Sequence, residues 1–164
     1  MRKSMFVLVI VIIMASMLAG CAAPEGEVGD AVLTVTGDIG KTNSGDKYIF
    51  DEARFEEHSV DLVIDDVWMG EGQEYRGILL SDLIGIVDPG SGATTISVVA
   101  VDGKSADVAI EDAKNMDILM VHYLSGAILG EDLGGPVKIA FGAEAQDVYP
   151  DESWMWWVAE LKIK

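Results

Sequence analysis

From Ala31 onward, apolar residues recur mostly at every second position, interrupted by short stretches at helical spacing. Ala31, Leu33 and Val35, ahead of Gly37, predict a first strand from Ala31 to Thr36. Tyr48-Ile49-Phe50 runs into Asp51-Glu52, and an aspartate there can accept from the free amides of a first turn. A short helix from Glu52 to Glu57 is therefore expected. Leu62, Ile64 and Val67 predict a strand from Val60 to Val67. Glycines among polar residues predict a loop between Trp68 and Gly77. Leu79, Leu80, Leu83, Ile84 and Val87 then line one face of a helix from Ile78 to Val87, which Asp88-Pro89-Gly90 ends.

The β-branched run Thr94 to Val101 predicts a strand that turns at Asp102-Gly103 into Ser105 to Ile110. A helical turn is expected over Glu111 to Asn115. Ile118 to Tyr123 and Ala127 to Leu129 form a second hairpin across Leu124-Ser125-Gly126, and Val137 to Phe141 is another strand. The last predicted strand is Trp154 to Ile163. Alternation there puts Met155, Trp157, Ala159, Leu161 and Ile163 on a core face and Trp154, Trp156, Val158, Glu160, Lys162 and Lys164 on the other. Many strands, few helices and no strand–helix–strand alternation indicate an α+β fold with a mainly antiparallel or mixed sheet. Residues 31–164 are expected to form a single domain.

The N-terminus obeys different rules. Arg2 and Lys3 precede an apolar run from Met5 to Leu18, the layout of an export signal over residues 1–20. Leu18-Ala19-Gly20-Cys21 resembles a lipobox, which would make Cys21 the lipidated first residue of the mature protein. An uncleaved membrane anchor is the other reading. Both place the domain outside the cytoplasm at a cell membrane. Residues 21–30, with Pro24, two glycines and three acids, read as a flexible tether.

Part of the 50% hydrophobic content belongs to that leader; residues 21–164 carry nine Lys and Arg against 28 acids, a charge of −19. Nucleic acid is excluded as a partner on this balance, since affinity there rests on cations neutralising phosphates. Docking to anionic lipid is disfavoured for the same reason. Cys21 is the only cysteine, so the domain holds no disulfide, no Cys₂ or Cys₄ metal site and no thiolate.

Four stretches taken together resemble one family. They are Tyr75-x-Gly77-x-Leu79-Leu80-x-Asp82-Leu83-Ile84, Val98 to Gly103 ending in Asp-Gly, Leu133-Gly134-Gly135-Pro136-Val137-Lys138-Ile139, and Trp157-Val158-x-x-Leu161-x-Ile163. In order and spacing they are similar to short stand-alone members of the sulfite oxidase-type molybdopterin-binding domain. The resemblance spans Ala31 to Lys164 and implies that fold. It implies no molybdenum chemistry here. Catalytic members hold the metal through a cysteine on the strand before the Tyr-x-Gly loop, and this chain has Val60 to Trp68 there, with Asp65 and Asp66 as hard oxygen donors. The arginine found near that Gly-x-Pro in the enzymes is Lys138, a point charge rather than a bidentate fork.

Some stand-alone relatives resemble exported, non-catalytic proteins that keep the pocket and bind free pterin-type molecules. Trp154 and Trp156 on an otherwise polar face suit such a ligand by stacking, with a covering segment from Asp147 to Asp151 as the alternative. Trp68 stands at a strand-to-loop junction, where it either rims a pocket or caps the core. Tyr75 and Arg76 can offer a hydroxyl and a guanidinium to a ligand's edge, or Arg76 is simply solvated. Asp102 and Asp66 can accept from an amino-heterocycle edge, although Asp102 is also a natural turn residue. No catalytic or metal-binding set emerges. His58 and His122 are the only histidines, and Asp65, Asp66, Glu71 and Glu74 lack the spacing of a calcium loop. The expectation is a surface-anchored, non-catalytic lipoprotein binding a pterin-like or other flat heteroaromatic molecule. A protein-interaction module of a membrane complex is the alternative, with a molybdenum oxidoreductase behind both.

Overall fold

In the computed structural model, which describes residues 27–164, the strands fall into two sheets. The signal segment 1–20, Cys21 and the tether up to residue 26 lie outside the described residues. The chain runs β1 (Ala31–Gly37), β2 (Tyr48–Asp51), α1 (Glu52–Glu57), β3 (Val60–Asp66), β4 (Gly70–Leu79), α2 (Leu80–Val87), β5 (Thr95–Ala100), β6 (Ser105–Ala109), α3 (Ile110–Asn115), β7 (Ile118–Leu124), β8 (Ala127–Ile128), β9 (Lys138–Phe141), α4 (Ala143–Gln146) and β10 (Val158–Ile163). One sheet has the order β2-β1-β10-β5-β6; the other has β3-β4-β7, with β8 and β9 following one another along the far edge of β7. Among these pairings β1 with β10 is parallel and the rest are antiparallel. This is the mixed, sheet-dominated α+β architecture that the hydrophobic pattern predicts.

One core cluster joins the layers. Leu33 and Val35 of β1, Ile96 and Val98 of β5, and Leu161 and Ile163 of β10 meet Leu80, Leu83, Ile84 and Val87 of α2 and the almost wholly buried strands β7 and β9. Asp51 caps α1 as expected, its Oδ1 accepting from the Arg54 amide at 3.0 Å. Its Oδ2 accepts from the Gly29 amide at 2.8 Å, so the chain is already tied to the fold two residues before β1.

Three expectations are corrected. The stretch between Trp68 and Gly77 is no loop but most of the ten-residue strand β4. Its polar half faces solvent and carries no apolar signature; pairing with β3, Leu62 opposite Tyr75 and Ile64 opposite Gln73, makes it a strand. Consequently α2 begins at Leu80 rather than Ile78. Gly77 is required for another reason, since a Cβ there would lie 2.1 Å from the Met120 carbonyl oxygen of β7.

The third correction concerns the C-terminal strand, which begins at Val158 rather than Trp154. A 3₁₀ turn occupies Asp151–Ser153, and Trp157 sits at φ 55°, a left-handed conformation that breaks the alternation. The pairing with β5 shifts register between Val158 and Glu160. Trp154, expected outside, is therefore 5% exposed, while Trp157, expected in the core, is 40% exposed. Val158 is buried and Ala159 exposed, again the reverse of strict alternation.

Candidate functional site

Three strands bring a charged cluster into the core. Lys138 starts β9, Asp66 ends β3 and Tyr75 lies midway along β4. The Lys138 ammonium and the Asp66 carboxylate are both fully buried, with Nζ 2.5 Å from Oδ2. Tyr75 donates its hydroxyl to the same Oδ2 at 2.7 Å and accepts from Nζ at 3.1 Å. The other carboxylate oxygen, Oδ1, accepts from the Trp68 and Met69 amides at 2.8 and 3.0 Å. Burial alone would raise the Asp66 carboxyl; the hydrogen bonds from Lys138, Tyr75 and the backbone outweigh it and hold the group below its ordinary value. Burial lowers Lys138, and Asp66 offsets part of that. For the Tyr75 phenol, burial and the neighbouring carboxylate act together and push it up.

Aromatic rings close around this ammonium. Nζ lies 5.2 Å from the Tyr75 ring centroid, 5.2 Å from Trp156 and 5.9 Å from Trp154, within cation–π range of each. Trp154 also packs edge-on against Phe141, which stacks on Tyr149 from the 147–151 segment. Trp156 sits over Gly134, where an added Cβ would approach its ring to 2.8 Å; Gly134 itself is at φ 90°. The Gly134 carbonyl accepts from the Trp157 amide, and Trp157 Nε1 donates to the Glu131 carbonyl at 2.8 Å. The Gly-Gly-Pro loop thus sets the positions of both tryptophans.

Above the cluster opens a groove of about 330 Å³, walled by Trp68, Trp154, Trp156 and Trp157 and edged by Asp102, Lys104, Asp151 and Glu152. Trp156 and Trp157 meet at 70° with centroids 5.9 Å apart, forming a corner. Trp68 is 58% exposed. Asp102 makes the turn expected of it, accepting from the Lys104 amide at 3.0 Å, and pairs with the Lys104 ammonium at 3.4 Å. Among the described residues one buried side-chain donor lacks a partner, Nε1 of Trp154.

Of the residues singled out from sequence, Trp68, Trp154, Trp156 and Asp102 come together at this groove. Lys138 lies beneath it, sealed by its ion pair, where no ligand phosphate reaches it. Tyr75 turns inward to that pair. Arg76, one residue on, bridges Asp61 and Glu56 on a different surface, each at 3.0 Å. Asp66 is a structural counterion rather than a ligand-edge acceptor. His122 is a satisfied sheet residue, with the Pro136 carbonyl at 2.6 Å and Glu52 at 2.9 Å.

Sequence reasoning missed Trp157, Lys104, Asp151 and Glu152 as groove residues. It also missed the Lys138–Asp66 pair, although a signal existed: Asp66 continues the inward alternation of Leu62 and Ile64, and a carboxylate in that position needs a cation.

No family model matches the chain, and no curated protein does. Among solved structures it is similar to the sulfane dehydrogenase SoxCD from Paracoccus pantotrophus, with a TM-score of 0.61 at 15% identity over 84% of this chain. The match spans 39% of that chain. The likeness supports a sulfite-oxidase-like fold.

Proposed function

We propose that this chain is a non-catalytic binding protein, held at the outer side of a cell membrane through Cys21, that takes a flat heteroaromatic molecule such as a pterin into the tryptophan groove. The observation that carries this reading is the convergence of four indoles on one cleft, two of them substantially exposed. Exposed tryptophan is costly in water, and a planar ring stacked in the Trp156–Trp157 corner would bury part of that surface.

The donor chemistry does not suit the molybdenum cofactor that the fold family implies. A soft thiolate ligand is required, and the chain's single cysteine stands ahead of the domain. Lys138, the cation nearest in sequence to the phosphate-binding position, spends its charge on Asp66. Carboxylates edge the cleft besides.

A second reading, an interaction module of a membrane complex, draws on the apolar rim, where Val67, Trp68, Val101 and Trp157 are all exposed. One experiment separates the two. Thermal melts of the soluble domain with excess pterin should rise, since a ligand at 100 times its dissociation constant stabilises by about 2.7 kcal/mol. Trp157→Ala and Trp68→Ala should abolish the rise while leaving the unliganded melt nearly unchanged. No shift with pterin or with a panel of flat heterocycles would sink the binding reading in favour of the interaction module.

A further inference from the structure

We infer that the groove selects flat rings bearing a positive charge and discriminates against anionic ones. This rests on the binding reading above and narrows its ligand class. Four indoles and three carboxylates share the cleft with a single ammonium, that of Lys104. Lys104 is already engaged by Asp102, and Asp151 and Glu152 form no ion pair among the described residues. The local charge is therefore negative, within a domain whose overall balance is −19 after the leader. Low-dielectric walls concentrate such a field in a cleft.

The rings act in the same direction. Aromatic faces are negative and attract cations, and Trp154 and Trp156 already show this in their approach to the buried Lys138 ammonium. Trp68 and Trp157 have no cation over them among the described residues, and they are the two exposed walls. A planar cation against them would gain from both the indole faces and the carboxylate edge. A phosphate or carboxylate ligand would meet repulsion from Asp151 and Glu152 with no free cation to offset it. Lys138 cannot serve, because its ammonium is enclosed and paired.

Matched probes test this directly by calorimetry at pH 7.5 and low salt: N-methylquinolinium as the cation, quinoline as the neutral ring and quinoline-6-carboxylate as the anion. The cation should bind roughly tenfold more tightly than quinoline, and the anion most weakly. Added salt should reduce the cation's advantage. In the double variant Asp151→Asn/Glu152→Gln the ratio of cation to quinoline affinity should shrink severalfold. Equal affinities for cation and neutral ring, or a preference untouched by the double variant, would overturn charge selection and leave a groove that binds flat rings by stacking alone. Absence of binding by all three probes would overturn the binding reading itself along with it.

Discussion

The Lys138–Asp66 pair offers the sharpest test of how this domain is assembled. Both groups are fully buried and their charged atoms are 2.5 Å apart. At an effective dielectric of about 20 such a contact is worth roughly 7 kcal/mol of Coulomb attraction. Removing two ions from water costs several kcal/mol each, so the pair as a whole contributes little net stability. Breaking it is another matter. Lys138→Met leaves Asp66 charged in the core, with only Tyr75 and two amides to hold it, and should cost roughly 3–5 kcal/mol. For a domain of this size that is a fall in Tm of roughly 10–15 °C. Asp66→Asn strands the ammonium and should cost a similar amount. The double variant Lys138→Met/Asp66→Asn removes both charges and, because the intact pair contributes little net stability, should lose less than either single variant. Urea unfolding of the four proteins gives the coupling energy, expected to be at least about 3 kcal/mol. Single costs below about 1 kcal/mol, or additivity within about 0.5 kcal/mol, would refute the claim that the two charges depend on one another.

Other outcomes rest on the same geometry. Trp154→Ala should open a cavity beside Phe141 and lower stability by roughly 3–5 kcal/mol, whereas Trp157→Ala should change it by about 1 kcal/mol or less; parallel thermal melts distinguish them. Because the folded-state value of Asp66 is depressed, its contribution is present above the unfolded carboxylate value of about 3.9 and is lost as pH falls through the lower folded one. Wild-type urea midpoints should therefore drop below about pH 4 more steeply than those of Asp66→Asn, and parallel curves would count against it. Cys21→Ser should leave the precursor unprocessed or release the protein from the detergent-extracted fraction, which membrane fractionation reads; unchanged cleavage and retention would remove the lipid anchor from the proposed function.

The fold class and most of the elements were legible in local sequence signals. Alternation in Leu33 and Val35, the Asp51 cap and the spacing of Leu80, Leu83, Ile84 and Val87 are local signals, and each element appeared within a few residues of its predicted place. The cysteine count and the charge balance likewise come from composition alone. Where several tryptophans cluster was legible too, since four in one mature domain, three of them within Trp154 to Trp157, are plain to see.

Which indoles face the cleft and which hold the core depended instead on long-range packing. Trp157 and Trp154 exchanged roles because strand alternation requires continuous pairing, and that pairing starts only at Val158, after a left-handed residue and a 3₁₀ turn. Likewise β4 is a strand because β3 lies beside it, and no periodicity in Gly70 to Glu74 announces that pairing. The burial of Lys138 depended on a carboxylate 72 residues away reaching the same point. Local sequence specifies what a segment prefers. Which charges meet, and which aromatic faces are left to solvent, is set by the packing of segments remote in the chain.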